Sequence, residues 1–162
     1  NVYSRRYFYA FFDEMKIKPE CSGENMAILM MDIDYFKEIN DQHGHLAGDA
    51  ALHRLAGTLR ERFRSSDLIC RYGGDEFCVL LRADSDDAYR IAEGCRSDLE
   101  EATIRHDGQE FSITISIGMA TFDPERHHSP ESLLSDADAA LYAAKNSKRN
   151  TVTRFCDMEH AI

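Results

Sequence analysis

Residues 67–81 read DLICRYGGDEFCVLL, and this stretch decides the class of fold. Two short apolar runs flank a double glycine, a pattern that predicts two strands joined by a tight hairpin turn. Such turns demand a positive φ, which glycine adopts without strain, so we expect this conformation at Gly73 and Gly74. Asp75 and Glu76 follow at once, and a paired negative charge at a turn between buried strands needs a chemical reason.

Helices and further strands surround this hairpin in the sequence. Residues 26–31, MAILMM, form a continuous apolar run that is typical of a strand buried on both faces. Apolar residues at helical spacing predict helices over residues 4–16, 49–64, 85–102 and 131–147. Strand composition marks residues 111–122 and 151–155, and HDGQ (106–109) suits a hairpin turn. We therefore expect an α/β (α+β) sandwich, with a central, mostly antiparallel five-stranded sheet flanked by helices.

The composition is that of one globular domain, residues 1–162, with 43% hydrophobic and 30% charged residues. No apolar run approaches the roughly 20 residues that a membrane span needs, so we expect no membrane contact. The net charge of −10 argues against polymeric nucleic acid as a partner, although a metal ion can still join carboxylates to nucleotide phosphates.

The five cysteines show no CxxC spacing, and the histidines show no spacing typical of zinc ligands. A reducing, cytoplasmic setting fits this pattern best. Cys70 and Cys78 stand in strand-like apolar contexts and are expected to be buried free thiols.

Acidic residues occur at two strand ends. Asp32 ends the apolar run, and if its strand neighbours the hairpin, its carboxylate converges with those of Asp75 and Glu76. Oxygen ligands of this kind suit Mg²⁺, and two such metals flanking a phosphorus atom are a known solution to nucleotidyl transfer. The alternative is that acids at a turn are simply solvated. For Asp34 we expect a structural role, as the cap of the helix that starts there.

Two more stretches carry groups that suit a nucleotide. Asn40 precedes HGHLAGD (43–49) and Asp49 ends it, and both side chains can pair with the donors and acceptors of a guanine edge. The alternative for Asp49 is an N-cap on the following helix. Lys145 and Arg149, four residues apart at a helix end, either clamp phosphates or complement the helix dipole.

Together these stretches resemble the GGDEF domain of the diguanylate cyclase family, whose name-giving motif stands intact at residues 73–77. Further motifs of the family are matched in order by RRYF (5–8), MDIDYFKEIND (31–41), HGHLAGD (43–49), SIGMA (116–120) and ADAALYAAKNSKRN (137–150). Ser4 stands where an asparagine is usual, and Lys148 where the family often has glycine. The resemblance implies a ferredoxin-like fold of the polymerase-palm and nucleotidyl-cyclase type. It also implies the reaction 2 GTP → cyclic di-GMP + 2 pyrophosphate, with Mg²⁺ or Mn²⁺, in a homodimer.

The resemblance assigns a role to each matching residue. Asp32, Asp75 and Glu76 would bind metal through their carboxylates, and Ile33 would bind it through its backbone carbonyl. The implied catalytic set is Asp75, as general base for the 3′-hydroxyl, with Glu76 and Lys37. The implied substrate contacts are Phe36, Asn40, His45, Asp49, Lys145 and Arg149.

RSSD, residues 64–67, stands five residues before the GGDEF motif. This offset matches the inhibitory RxxD site of the family, where cyclic di-GMP binds and blocks activity. Arg64 and Asp67 would form the site, because arginine makes bidentate contacts to phosphate and guanine. Arg96 is expected to complete it from the next helix.

Three other interpretations remain open. A catalytically weak receptor for GTP or cyclic di-GMP would share the fold, but such domains typically lose the acids that remain here at Asp32, Asp75 and Glu76. An enzyme that makes mixed purine dinucleotides is disfavoured by Asp49, since a carboxylate there favours guanine. A purely structural dimerisation module would leave these polar residues unexplained. The abrupt start of the chain is typical of an N-terminally truncated fragment of a longer protein.

Overall fold

The computed structural model describes residues 2–17 and 25–159. The strands are β1 (Tyr3–Ser4), β2 (Met26–Ile33), β3 (Leu68–Arg71), β4 (Glu76–Arg82), β5 (Ile104–His106), β6 (Gln109–Phe111), β7 (Ile115–Thr121) and β8 (Val152–Arg154). The helices are α1 (Arg5–Ile17), α2 (Phe36–His43), α3 (His45–Arg62), α4 (Ser85–Glu101), α5 (Pro130–Asn146) and α6 (Phe155–Glu159).

The main sheet has the strand order β1-β3-β4-β2-β7-β8. The pairings β3–β4, β4–β2 and β2–β7 are antiparallel, whereas β7–β8 and β1–β3 are parallel. The α+β class and the mostly antiparallel sheet are therefore confirmed. The sheet is mixed, and the two-residue β1 extends the expected five strands by pairing Tyr3 with Cys70 and Ser4 with Arg71.

Strand β2 lies in the middle of the sheet, and all eight of its residues are buried, as the MAILMM run predicted. Because successive side chains of a strand point to opposite faces, β2 contributes to two cores. Leu29 and Met31 belong to the core under α3 and α4, and Ile28 and Met30 belong to the core under α1 and α5. Asp32 continues the second set, so it points to the α5 face of the sheet.

At one position the backbone of helix α5 packs directly against the backbone of strand β7, with no side chain between them. A Cβ atom at Gly118 of β7 would lie 2.1 Å from the backbone nitrogen of Leu141 and 2.2 Å from the carbonyl oxygen of Ala137. Only glycine allows this approach, which explains the glycine of the SIGMA motif in physical terms. The contact fixes the distance of α5 from the centre of the sheet.

Some predicted boundaries were wrong. Residues 111–122 are not one strand, because β6 ends at Phe111 in a separate two-stranded sheet and β7 begins at Ile115 in the main sheet. The hairpin turn predicted at HDGQ is confirmed, with positive φ at Asp107 and Gly108. At the C-terminal end, β8 stops at Arg154 and Phe155 begins a short helix instead of ending the strand.

Cys70, Cys78 and Cys95 are buried free thiols, and Cys156 is a partly buried one, which confirms the expectation for the first two. Burial raises the pKa of the Cys70 thiol to about 11 and that of Cys95 to about 12, and it raises that of Cys78 well above its ordinary value. Cys21 lies outside the described residues. Within residues 2–17 and 25–159, no helix combines the length and apolar character needed to cross a bilayer.

Candidate active site

The turn between β3 and β4 is closed by its own backbone. The N–H groups of Tyr72 and Gly73 both donate to the Glu76 carbonyl, at 2.9 and 3.3 Å. The Arg71 guanidinium donates twice to the Gly74 carbonyl, through Nε at 3.0 Å and Nη2 at 2.6 Å. These bonds hold the residue between them, Asp75, at the end of the hairpin.

The two glycines of this turn serve a purpose other than the expected one. Neither Gly73 nor Gly74 has a φ in the left-handed region, so the prediction of positive φ was wrong. A Cβ atom at Gly73 would lie 2.7 Å from Oε2 of Glu76, whereas one at Gly74 would meet no atom within 4 Å. The Glu76 carboxylate thus folds back over the turn into the space beside Gly73, and a side chain at this position would displace it.

Carboxylates from neighbouring strands converge as the sequence predicted. Asp32 of β2 is the register partner of Glu76 of β4. Asp32 is only 6% exposed, and burial, with the nearby charges of Asp75 and Glu76, raises the pKa of its carboxyl to about 6. Lys145 opposes this shift, because its Nζ lies 2.5 Å from Asp32 Oδ2. The site thus has a strong local excess of negative charge and one cation from α5.

A divalent cation fits this donor set. Mg²⁺ prefers oxygen ligands, and it is usually held by one or two carboxylates together with substrate phosphates. No three acidic, histidine or cysteine side chains of the described residues are grouped as a ready-made metal cage. The carboxylates of Asp32 and Glu76, with Asp75 in the turn, match the open kind of site that is completed by a phosphate ligand.

The residues predicted to contact the base lie on α2 and α3. A Cβ atom at Gly48 would lie 2.0 Å from Oδ1 of Asn40 and 3.2 Å from Cζ of Phe36, so both side chains pack over this glycine. Asp49 is exposed inside α3, whose N-cap is Gly44, so the alternative that Asp49 caps the helix is wrong.

His45 is the first residue of α3 and is exposed. It lines a separate cavity with His43, His106 and Gln109, next to the hairpin formed by β5 and β6. The structure therefore does not bring His45 together with the acidic residues of the turn.

Asp34 does not cap α2, which was the role expected for it. The N-cap is Tyr35, in the left-handed region at φ 55°. The Asp34 carboxylate is buried and accepts three hydrogen bonds: from Ser116 Oγ at 2.6 Å, from Thr114 Oγ1 at 2.7 Å and from the backbone N–H of Asn150 at 2.9 Å. No local sequence signal gives this role, because its partners lie about 80 and 116 residues away along the chain.

The predicted phosphate-binding residues lie at the end of α5 and just beyond it. Arg149 has φ 54°, and its guanidinium lies over the Tyr35 ring with its central carbon 4.8 Å from the ring centroid. Lys148, where the family often has glycine, does not adopt a positive φ, so no glycine is needed at that position. Asn150 is also left-handed, and each non-glycine residue in this region costs about 1–2 kcal/mol. Lys37 is exposed in the first turn of α2.

A second candidate site lies at RSSD, just before β3. Asp67 Oδ2 accepts a hydrogen bond from the backbone N–H of Arg64 at 2.8 Å. Burial raises the pKa of the Asp67 carboxyl, although the Arg64 N–H and the charges of Arg64 and Arg82 act against that rise. An open cavity of about 410 Å³ is lined by both residues and by Arg62, Arg82 and Arg90. This is a concentration of guanidinium groups on an otherwise acidic protein.

Arg96, which was expected to complete the site, does not line this cavity. Its guanidinium instead donates to Glu93, Glu100 and Asn150. Asp87, Arg90 and Ile91 reach the cavity from α4, and Arg90, which sequence reasoning missed, is the cation among them. Arg90 and Arg96 are six positions apart, and only the packing of α4 determines which of them faces the RSSD turn.

Comparisons with known proteins agree with these motifs. The family described as "Diguanylate cyclase, GGDEF domain" matches residues 1–151. Diguanylate cyclase A of Treponema denticola is 40% identical over 153 residues, which cover 92% of this chain and 41% of that protein. Response regulator PleD of Caulobacter vibrioides is 39% identical over 154 residues, which cover 93% of this chain and 34% of that protein. The chain thus spans less than half the length of these curated relatives.

Solved structures share the fold. The GGDEF domain of PA1120 (YfiN or TpbB) from Pseudomonas aeruginosa superimposes with a TM-score of 0.87 at 39% identity, covering 95% of this chain and 96% of that one. The GGDEF domain of DgcB from Caulobacter crescentus, in complex with c-di-GMP, gives a TM-score of 0.88 at 30% identity, covering 96% and 89%. The fold class predicted from the sequence is confirmed by both.

Proposed function

We propose that this chain, which belongs to the GGDEF domain family of diguanylate cyclases, condenses two molecules of GTP into cyclic di-GMP and releases two pyrophosphates. The observation that carries the proposal is the meeting of Asp32 with Glu76 on paired strands, with Asp75 in the adjoining turn and Lys145 from α5. A receptor that had lost catalysis would have no use for this buried charge, which destabilises the folded chain.

Binding of GTP is assigned to three groups of residues. Asn40 and Asp49 hold guanine, and Phe36 packs beside the nucleotide, in keeping with the way Asn40 and Phe36 meet over Gly48. The phosphates are held by the cations Lys37, Lys145 and Arg149, which lie at the ends of α2 and α5 that face Tyr35 and Asp32.

In the reaction, the 3′-oxygen of one GTP attacks the α-phosphorus of the other and the bond to pyrophosphate breaks. Asp75 accepts the proton of the hydroxyl. A second attack, with the roles of the two nucleotides exchanged, closes the ring and releases the second pyrophosphate. Asp32, the Ile33 carbonyl, Asp75 and Glu76 would hold Mg²⁺ or Mn²⁺, and the bound ion would supply charge neutralisation on the phosphoryl oxygens. Lys37 and Lys145 add positive charge where negative charge grows in the transition state.

Each domain has residues for one GTP, so two domains must face each other for the product to form. We assign the reaction to a homodimer for this reason. A reducing, cytoplasmic setting fits the free thiols of the described residues.

The test of catalysis is product identification with purified protein, GTP and Mg²⁺. We expect pyrophosphate and cyclic di-GMP from the unmodified chain, and a loss of at least a hundredfold in turnover for Asp75→Asn, since general-base catalysis contributes about 10²–10⁴-fold. The matched control is Asp86→Asn, which removes an exposed carboxylate paired with Arg154 far from the turn. If the unmodified chain at high concentration makes no product, the proposed function is wrong.

Inhibition by the product is assigned to the RSSD cavity. Arg64→Ala and Arg90→Ala each remove one of its guanidinium groups, so we expect each to weaken inhibition by added cyclic di-GMP by about tenfold, the loss typical of one charged contact. Arg60→Ala, at an exposed position of α3, is the control. Inhibition constants equal to those of the unmodified chain would remove this second site.

A further inference from the structure

A polar network runs from the exposed Glu100 of α4, through the half-buried Arg96 and Asn150, to the buried Asp34 at the end of β2, and none of the roles assigned above accounts for it. Asp34 follows β2 directly and is 4% exposed. Its carboxylate bonds two hydroxyl groups of the β7 segment and the backbone N–H of Asn150. The side chain of Asn150 then accepts from Arg96 Nη1 at 2.9 Å and donates to Glu100 at 2.7 Å.

The network joins two segments that both carry site residues. Asp34 is one residue beyond Ile33 and two beyond Asp32, at the end of the central strand. Asn150 is the next residue after Arg149, and both have a positive φ. The hydrogen bond between Asp34 and the Asn150 backbone is thus a direct link between the predicted metal-binding strand end and the predicted phosphate-binding segment.

A second contact, on the solvent side, joins the same two segments of the chain. The Arg149 guanidinium lies over the ring of Tyr35, the residue after Asp34. Consecutive residues of one segment therefore bind consecutive residues of the other. This pattern fixes the direction of Arg149 more tightly than a single contact would.

We propose that Asp34 is a positioning residue, whose carboxylate holds the Asn150 backbone and thereby sets where the Arg149 guanidinium meets the phosphates of the nucleotide. The proposal rests on the function proposed above, in which Arg149 binds phosphate. In this role Asp34 acts through Arg149, without contact to the nucleotide or the metal. Its carboxylate is fully engaged with protein donors, which distinguishes it from Asp32 two residues earlier.

The test compares binding of a non-hydrolysable GTP analogue with binding of GMP, both with Mg²⁺. Asp34→Asn keeps the shape of the side chain but removes its negative charge and one of its two acceptor oxygens, so it holds the Asn150 N–H less tightly. We expect its affinity for the triphosphate to fall about tenfold, while its affinity for GMP, which lacks the distal phosphates, changes less than twofold. A purely structural role would weaken both ligands alike.

Two further variants make the test specific. If Asp34 acts through Arg149, then adding Asp34→Asn to Arg149→Ala causes no further loss of triphosphate binding; a full additional tenfold loss would overturn the proposal. Asp136→Asn is the matched control, because Asp136 is another buried aspartate, bonded to Arg126 and His127 at the opposite end of α5. It is expected to lower thermal stability without changing the ratio of the two affinities.

A pair of variants at Asn150 keeps the proposal testable if Asp34→Asn does not fold. Asn150→Gly and Asn150→Ala both keep the backbone N–H and remove the side chain, but only glycine accepts the positive φ without strain. We expect Asn150→Gly to retain the preference for the triphosphate and Asn150→Ala to lose most of it. Equal retention by both would contradict the positioning role. If the unmodified chain itself shows no preference for the triphosphate, the proposed function fails, and this inference falls with it.

Discussion

The carboxylate of Asp32 is held where its charge is disfavoured, even with Lys145 beside it. Burial contributes most to this effect, and the nearby Asp75 and Glu76 add to it. Groups arranged to bind a cation or a phosphate commonly destabilise the free protein in this way. The site residues therefore make opposite contributions to folding and to ligand binding.

The stability of the metal-free chain follows from this shift in the pKa of Asp32. The carboxyl has a pKa of about 6 when folded and 3.8 when unfolded, so the folded state binds an extra proton between these values. The contribution of this carboxyl to stability therefore falls as the pH rises from about 4 to about 6. We expect Asp32→Asn, which has no charge to bury, to be more stable than the unmodified chain by about 1–3 kcal/mol at pH 8.

Thermal unfolding without divalent cations, measured from pH 4 to pH 8, checks this expectation. The advantage of Asp32→Asn should disappear as the pH falls through 6 towards 4, where the unmodified carboxyl is protonated too. Asp86→Asn, at an exposed position, should show no such pH dependence. An Asp32→Asn variant no more stable than the unmodified chain at pH 8 would show that Lys145 fully compensates the buried charge.

Single residues were predicted well where strand pairing alone decided their position. Asp32 and the GGDEF acids meet because Asp32 lies near the end of an apolar strand, and Glu76 begins the neighbouring strand directly after Asp75. The role of Asp34 was predicted wrongly and Arg90 was not noticed, because their surroundings depend on how distant helices and loops pack. The reason for Gly73 was also missed, since it lies in the Glu76 side chain rather than in the backbone angles.

At the scale of elements, the close packing of α5 on β7 positions Lys145 beside Asp32. We expect Gly118→Ala to destabilise the chain by about 3 kcal/mol or more, because the added methyl group would overlap backbone atoms that cannot rotate away. The same change should separate Lys145 from Asp32 and so lower triphosphate affinity. Urea unfolding gives the first quantity, and a binding titration gives the second.

Gly57→Ala is the matched control for that change. Gly57 lies inside α3, and a Cβ atom there would meet nothing within 4 Å. Alanine favours the helix, so this variant should be more stable by about 0.5–1 kcal/mol. A similar small effect of both substitutions would mean that α5 moves freely on the sheet.

The sequence predicted the elements that have a clear apolar pattern, but it did not predict where each element begins and ends. The apolar run of β2 and the stripe of α5 each correspond to a buried surface. Residues 111–122 have one composition throughout, yet they divide between two sheets, because Phe111 pairs with Ile104 and Ile115 pairs with Ile33. Composition does not specify the partner of a strand.

At the scale of the whole molecule, the proposed reaction needs two copies of the chain. We expect the rate per chain to rise with protein concentration and to follow the dimer fraction measured in the same samples by sedimentation. Samples that are entirely monomeric should make no cyclic di-GMP. Turnover that is independent of the dimer fraction would contradict the assignment of one GTP to each domain.

The edge of the sheet has a mechanical consequence. Strand β1 runs parallel to β3 and is held to it through the pairs Tyr3–Cys70 and Ser4–Arg71. Arg71 in turn holds the carbonyl of Gly74. A force along β1 is therefore borne in shear by β3, whose two ends adjoin the RSSD turn and the GGDEF turn. Tension on this edge strand would pass through the β1–β3 pairing into β3 and then along its backbone to both turns.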